Sequence, residues 1–260
     1  MTNKIVEEIK NVEGLLNDKE AETLYNLAHN LKGKGVIVEI GSWKGKSTIC
    51  LAKGLRKRMK IFAVDPHDTT FFFHRKNQDL PTWGRSDLKE KINLQQRGNK
   101  ESSSLKDFRK NIKNAKVEKI VQEVIKTSND ASKIINDPVE LIFIDGDHTY
   151  KAVKEDFENW FPKVVPEGIM AFHDTLWGGP RKLVVEKLYK SKNFKNIRFA
   201  NSITYGQKVD KNTYLERLDN RKNLFFSSIF CFIYEISFHV AKYFPKKIKA
   251  KFKKIFLSIH

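Results

Sequence analysis

Two short runs past the middle of the chain gather the residues best able to do chemistry. FIDGDH (Phe143 to His148) sets Asp145 three residues before His148, and FHDT (Phe172 to Thr175) sets His173 beside Asp174. Asp145, Asp174 and His173 offer two hard oxygen donors and one imidazole, a set suited to Mg²⁺, Mn²⁺ or Fe²⁺. The bland alternative is a pair of carboxylates at strand ends that hold no metal. A third cluster lies upstream in GVIVEIGSWKGKST, Gly35 to Thr48. Here Glu39, Gly41, Ser42, Gly45 and Ser47 straddle a turn between an apolar run and a helical stretch. Glycines let backbone approach a ligand closely, and the first turn of a helix offers N–H groups. Asp65 ends the next apolar run, where it can accept hydrogen bonds from both hydroxyls of a ribose. A tight turn with a solvated aspartate is the competing account, but the spacing is that of a nucleoside cradle.

All these residues fall at the ends of short apolar runs, so strands must carry them. Val36 to Ile40, Lys60 to Val64, Val121 to Lys126, Glu140 to Asp145 and Ile169 to Phe172 read as strands. Helical spacing predicts helices over Lys46–Arg56, Leu105–Ala115, Ser128–Asn136, Thr149–Val164 and Arg181–Ser191. The helix over Thr149–Val164 has Val153, Phe157, Trp160 and Phe161 on one face, and Pro166 and Gly168 punctuate its exit. Residues 4–32 read as helical, with Asn17 as a cap. Two short strands are expected between Ile197 and Val209. Strands alternating with helices imply an α/β fold, a doubly wound and mostly parallel sheet with helices on both faces. Ligands then bind beyond the carboxyl ends of the strands. Residues 66–103 stand out as a long polar insert with an aromatic knot (Phe71, Phe72, Phe73, His74) and Trp83, expected to form a lid.

In order, EIGSWKGKST, AVDPH, LIFIDGDHTYKAVKEDFENW and PEGIMAFHDT resemble the class I S-adenosylmethionine (SAM)-dependent methyltransferases. The pattern is similar to the metal-assisted O-methyltransferase branch that contains catechol-type and macrolide-sugar enzymes. The resemblance covers about residues 10–210. It implies a Rossmann-like sheet of seven strands, SAM over the loop from Glu39 to Ser47, its ribose on Asp65 and Ser128 near the adenine. It also implies Asp145 and Asp174 as metal ligands, Mg²⁺ being the first expectation, and His148 as general base. His173 stands where sugar-modifying relatives carry a glutamate ligand. The organisation expected is an N-terminal helical cover over 1–34, a methyltransferase domain over 35–212 and a tail over 221–260. The function expected is transfer of methyl to a hydroxyl of a small molecule or sugar, a glycan or lipid-linked saccharide. A catalytically silent SAM-binding recruiter and a nucleic-acid methyltransferase are the alternatives. Nucleic acid is the weaker partner, since no N/D-P-P-Y/F-type motif is present.

Composition bears on partners and place. Lys and Arg number 49 against 31 Asp and Glu, a net charge of +18, which favours an anionic partner. Residues 221–260 hold nine Lys and Arg with only Glu235 as an acid. Within them, the aromatic run Leu224–Phe244 and the lysine-rich stretch after Pro245 read as two amphipathic helices. Such helices lie on an anionic membrane surface; a dimerisation arm, a nucleic-acid-binding tail and a spanning helix over 224–244, with Glu235 costly near its centre, are the alternatives. Cys50 and Cys231 are too few for a disulfide framework and fit a reducing cytosol. MTNKIVEEIK lacks the apolar core of a secretory leader. The expected place is the cytoplasmic face of the cell membrane.

Overall fold

The computed structural model describes residues 2–67 and 104–241. The aromatic knot and Trp83 of the expected lid, and the lysines after Pro245, lie outside the described residues. Among those described, the elements run α1 (Thr2–Ile9), α2 (Asp18–His29), β1 (Val36–Ile40), α3 (Lys46–Gly54), β2 (Ile61–Val64), α4 (Ser104–Asn114), β3 (Val121–Val124), α5 (Ser128–Ile134) and β4 (Val139–Ile144). Then come α6 (Tyr150–Trp160), β5 (Val164–Phe172), α7 (Gly178–Leu183), a π-helical turn (Val184–Tyr189), β6 (Phe194–Ala200), β7 (Ile203–Lys208) and α8 (Tyr214–Ala241).

The strands form one seven-stranded sheet in the order β3-β2-β1-β4-β5-β7-β6. β1 to β5 pair in parallel, and β7 runs antiparallel to both its neighbours. β1 and β4 occupy the centre, and every residue of both is buried. Successive side chains leave a strand on opposite faces, and the core divides accordingly. Ile37, Leu141 and Phe143 pack with α1 to α4 on one face. Val36, Val38, Ile40, Ile142 and Ile144 pack with α5, α6 and α7 on the other. This is the doubly wound α/β architecture expected of the sequence, seven strands included.

Asn17 caps α2 as expected, with a complete capping box to Glu20, and so divides the helical stretch 4–32 into two helices. One local expectation needs correction. Pro166 and Gly168 do not precede the strand but lie inside β5. Val139 pairs with Val164 and Leu141 with Ile169, so Val165 to Gly168 bulge opposite Glu140 alone. A bulge needs no ladder N–H from proline and accommodates Glu167 at φ +64°. The stretch read as a tail from 221 continues α8, which starts at Tyr214 and packs on β6. Its Asn220 is wholly buried and donates from Nδ2 to Phe194 O at 2.8 Å.

Candidate active site

The sheet order reverses between β1 and β4, and a cavity of about 480 Å³ opens at that point beyond their carboxyl ends. The ladder runs one residue past each strand, and three of the four residues so added line the cavity, all but His173. Asp65 N donates to Val124 O, Gly41 N to Val64 O, Asp145 N to Ile40 O and His173 N to Ile144 O, at 2.8–3.1 Å. A parallel sheet thus sets the groups expected from β1, β2, β4 and β5 side by side.

The nucleoside end is built around Gly41 and Asp65. Gly41 has φ +88°, and a Cβ there would lie 2.2 Å from Asp145 O. Only glycine lets the β1 and β4 ends close on one another. Asp65 Oδ2 accepts from Trp43 N at 2.8 Å and its Oδ1 from His67 N at 2.6 Å. The carboxylate therefore holds the glycine loop in shape, with lone pairs to spare for a ligand hydroxyl. Gly45, at φ +85°, caps α3, and Lys46 and Ser47 of its first turn line the cavity. Ser42 Oγ also lines it and is buried with no hydrogen-bond partner among the described residues. A buried orphan hydroxyl beside a helix N-terminus fits the polar end of a bound cofactor. Glu39 lies beneath, fully buried; burial pushes its carboxyl up to about 7, against the pull of Ser47 and Thr48. Ser128, expected near the adenine, lines the wall, and its Oγ accepts from Trp160 Nε1 at 2.9 Å.

The other end holds the acids and histidines. Asp147 Oδ1 accepts from Thr149 N at 2.7 Å, and the Thr149 side chain caps α6. Those two turns fix the loop that carries His148. Gly179 of α7 seals it, since a Cβ would meet Tyr150 N at 2.3 Å and His148 O at 2.4 Å. His148 then lies between two carboxylates, Nε2 3.4 Å from Asp145 Oδ1 and Nδ1 3.3 Å from Asp174 Oδ2. Asp174 has φ +53°, a left-handed turn that aspartate tolerates.

Asp145, His148 and Asp174 offer one donor atom each within 4.8 Å of one another, a possible cation site. His173, the third donor expected from the sequence, lies against Asp145 and Asp174 but outside that group of three. It is buried, with Nδ1 3.2 Å from Asp145 Oδ1 and Nε2 3.5 Å from Glu20 Oε2. Burial alone would lower its pKa, but Asp145, Asp174 and Glu20 raise it well above the ordinary value. In return, burial at both acids is overcome and both carboxyls are held low, at Asp145 by His173 with His148 and at Glu20 by His173 with Ser202 and the Asn17 backbone. His173 thus braces Asp145 from below, as a cation between acids.

Four contributors escaped the sequence reading. Glu20 had a signal, the capping-box spacing from Asn17, but its partner lies in distant sequence. Asp156 is a charge on the buried face of α6, pushed up to about 6 by burial, and lines the cavity. Lys44 ties the glycine loop to Glu13 at 2.8 Å and Asp107 at 2.9 Å. His67 accompanies Asp65 and meets Ser104 Oγ at 2.9 Å. The last two had no sequence signal beyond their neighbours.

Comparison with known proteins places this geometry. Residues 38–175, more than half of the chain, match a family described as a methyltransferase domain. Among solved structures, the O-methyltransferase TomG from Streptomyces achromogenes, involved in tomaymycin synthesis and in complex with SAM, aligns with TM-score 0.52 at 13% identity. The alignment covers 80% of this chain and 89% of TomG. The O-methyltransferase NovP aligns with TM-score 0.56 at 18% identity over 78% of this chain and 88% of its own. Cofactor-bound Rv0187 from MTB gives 0.54 at 13% over 81% and 89%. At these identities the likeness is one of fold. A curated relative, the uncharacterized protein y4gI of Sinorhizobium fredii (strain NBRC 101917 / NGR234), is 49% identical over 51 residues, 19% of this chain and only 6% of that protein. With the match spanning the glycine loop, FIDGDH and FHDT, and with the sheet shared across these structures, the chain belongs to the methyltransferase domain family, on the Rossmann-like fold of SAM-dependent methyltransferases.

Proposed function

We propose that the protein transfers the methyl group of SAM to a hydroxyl oxygen of a small molecule or sugar, with His148 as the general base. The observation that carries this is the position of His148, lining the same cavity as the nucleoside cradle and lodged between Asp145 and Asp174. Asp65 would hold the ribose, Ser128 the adenine side and the Gly41–Ser47 loop the amino-acid end. SAM supplies an electrophilic methyl, whose transfer needs an oxygen stripped of its proton. His148 is the group to take that proton, and Asp174, 3.3 Å from Nδ1, orients the ring and stabilises the charge it gains. Asp145, kept ionised by His173, balances the other side. Bringing two reactants together in one cavity supplies a large share of the rate.

A metal-assisted version has its own support in the grouped donors Asp145, His148 and Asp174. A divalent cation there would lower the acceptor's pKa. In that version His148 is a ligand and cannot also be the base. The test measures S-adenosylhomocysteine release with saccharide and phenol acceptors, in EDTA and in Mg²⁺. Activity in EDTA that falls about 10²–10⁴-fold in His148→Ala supports the base. Activity restored only by Mg²⁺ supports the cation. A wild-type chain that binds no SAM sinks both.

A further inference from the structure

Helix α8 has two faces of opposite character. One is fastened to the body. Asn220 and Phe230 are buried, Phe230 with its ring 5.6 Å from that of Phe199. Arg181 of α7 donates to Ser227 Oγ at 2.6 Å and to Ser228 Oγ at 2.9 Å. Tyr234 stacks on Trp177, centroids 5.7 Å apart and 22° from parallel. The other face carries Phe225, Phe226, Ile229, Phe232, Ile233 and Ile236, spaced so that all fall on one stripe. They are 39–63% exposed, a run of apolar side chains that isolated soluble proteins rarely leave in water.

We propose that this stripe lies in the interface of an anionic phospholipid membrane. Three observations select that occupant. Arg221 and Lys222 are exposed just before the stripe. After Glu235 the chain has seven lysines and no acid through His260, so cations follow the apolar face in sequence. Apolar residues and lysines together make the pattern of an interfacial helix, with each part serving a separate attraction. No helix among the described residues is long and apolar enough to cross a membrane, so α8 lies on the surface. A second copy is a poorer occupant, because pairing would press one chain of net charge +18 against another.

The same helix is joined to the loop that carries part of the acid cluster. Trp177, on which Tyr234 stacks, follows Asp174 by three residues. On the methyltransferase reading above, this assigns an acceptor carried at a lipid surface, a saccharide or other polyol head group.

The experiment is vesicle sedimentation of the full chain and of Phe225→Asp/Phe232→Asp, on neutral phosphatidylcholine and on vesicles with phosphatidylglycerol, at low and high salt. SAM titration and melting temperature of both proteins run alongside. Both substituted side chains face away from the body, so folding and SAM affinity are expected to stay the same. Wild type is expected to bind anionic vesicles with a salt-resistant remainder, and the double variant to lose that remainder at least tenfold. Binding abolished by salt and equal in the two proteins would mean charge alone, and overturns the proposal. A dimer in light scattering that the variant dissociates, with no vesicle binding, overturns it in favour of a second copy. Vesicle binding without SAM binding leaves the stripe assigned and removes the methyltransferase reading; SAM binding without vesicle binding does the reverse.

Discussion

Neighbouring carboxylates in this site are driven in opposite directions, and the difference can be measured. Glu39 is surrounded by apolar strands, so burial raises it to about 7 from an unfolded value near 4.5. An acid raised on folding binds more protons in the native state than in the unfolded one. Its penalty is therefore absent below about pH 4.5, grows through that window and is complete above about 7. Glu39→Gln is expected to stabilise the ligand-free protein at pH 8 by about 2–3 kcal/mol and to change little near pH 4.5, as read from melting curves. Glu20 is the contrary case, an acid held low by His173 despite burial. Glu20→Ala removes one side of a buried ionic triad and the staple at the start of α2. A loss of about 3 kcal/mol or more is expected by denaturant titration, and a value under about 1 kcal/mol would mean that His173 is not held as a cation.

Elements explain why some of this could be read from sequence and some could not. The strand ends were legible because a parallel sheet buried on both faces leaves apolar runs, and all the runs but Val121–Lys126 ended at a candidate residue. Gly41 and Asp65 followed, since local spacing alone fixes a strand–turn–helix. Long-range placement was not legible. His173 faces Glu20, 153 positions earlier in the chain, and no periodicity encodes that encounter. The bulge at Val165–Gly168 was misread because Pro166 and Gly168 normally end strands, and only the pairing with β4 shows them tolerated inside one. Gly179 gives this scale its test. Gly179→Ala forces α7 away from the His148 loop, while the glycine loop and Asp65 on the far side stay in place. Methyl transfer is expected to fall more than tenfold with SAM affinity within about twofold of wild type; equal losses in both would mean that the two ends of the cavity are not separable.

At the scale of the whole molecule, the described residues form one sheet with a helix, α8, that packs on it and faces outward. Asn220 and Phe230, on either side of the expected boundary at 221, are both buried over β6. Ending the chain near 220 should therefore destabilise the fold, whereas ending it after Ala241 should preserve melting temperature and SAM binding, a contrast visible in a single set of melting curves. The central claim concerns the cavity at the reversal of strand order. It is tested most directly by calorimetric titration of SAM into wild type, His148→Ala and Asp65→Ala. Wild type and His148→Ala are expected to bind one SAM per chain with similar affinity, and Asp65→Ala to bind more weakly by about 1–3 kcal/mol. No heat from wild type, or equal binding by Asp65→Ala, would contradict the account.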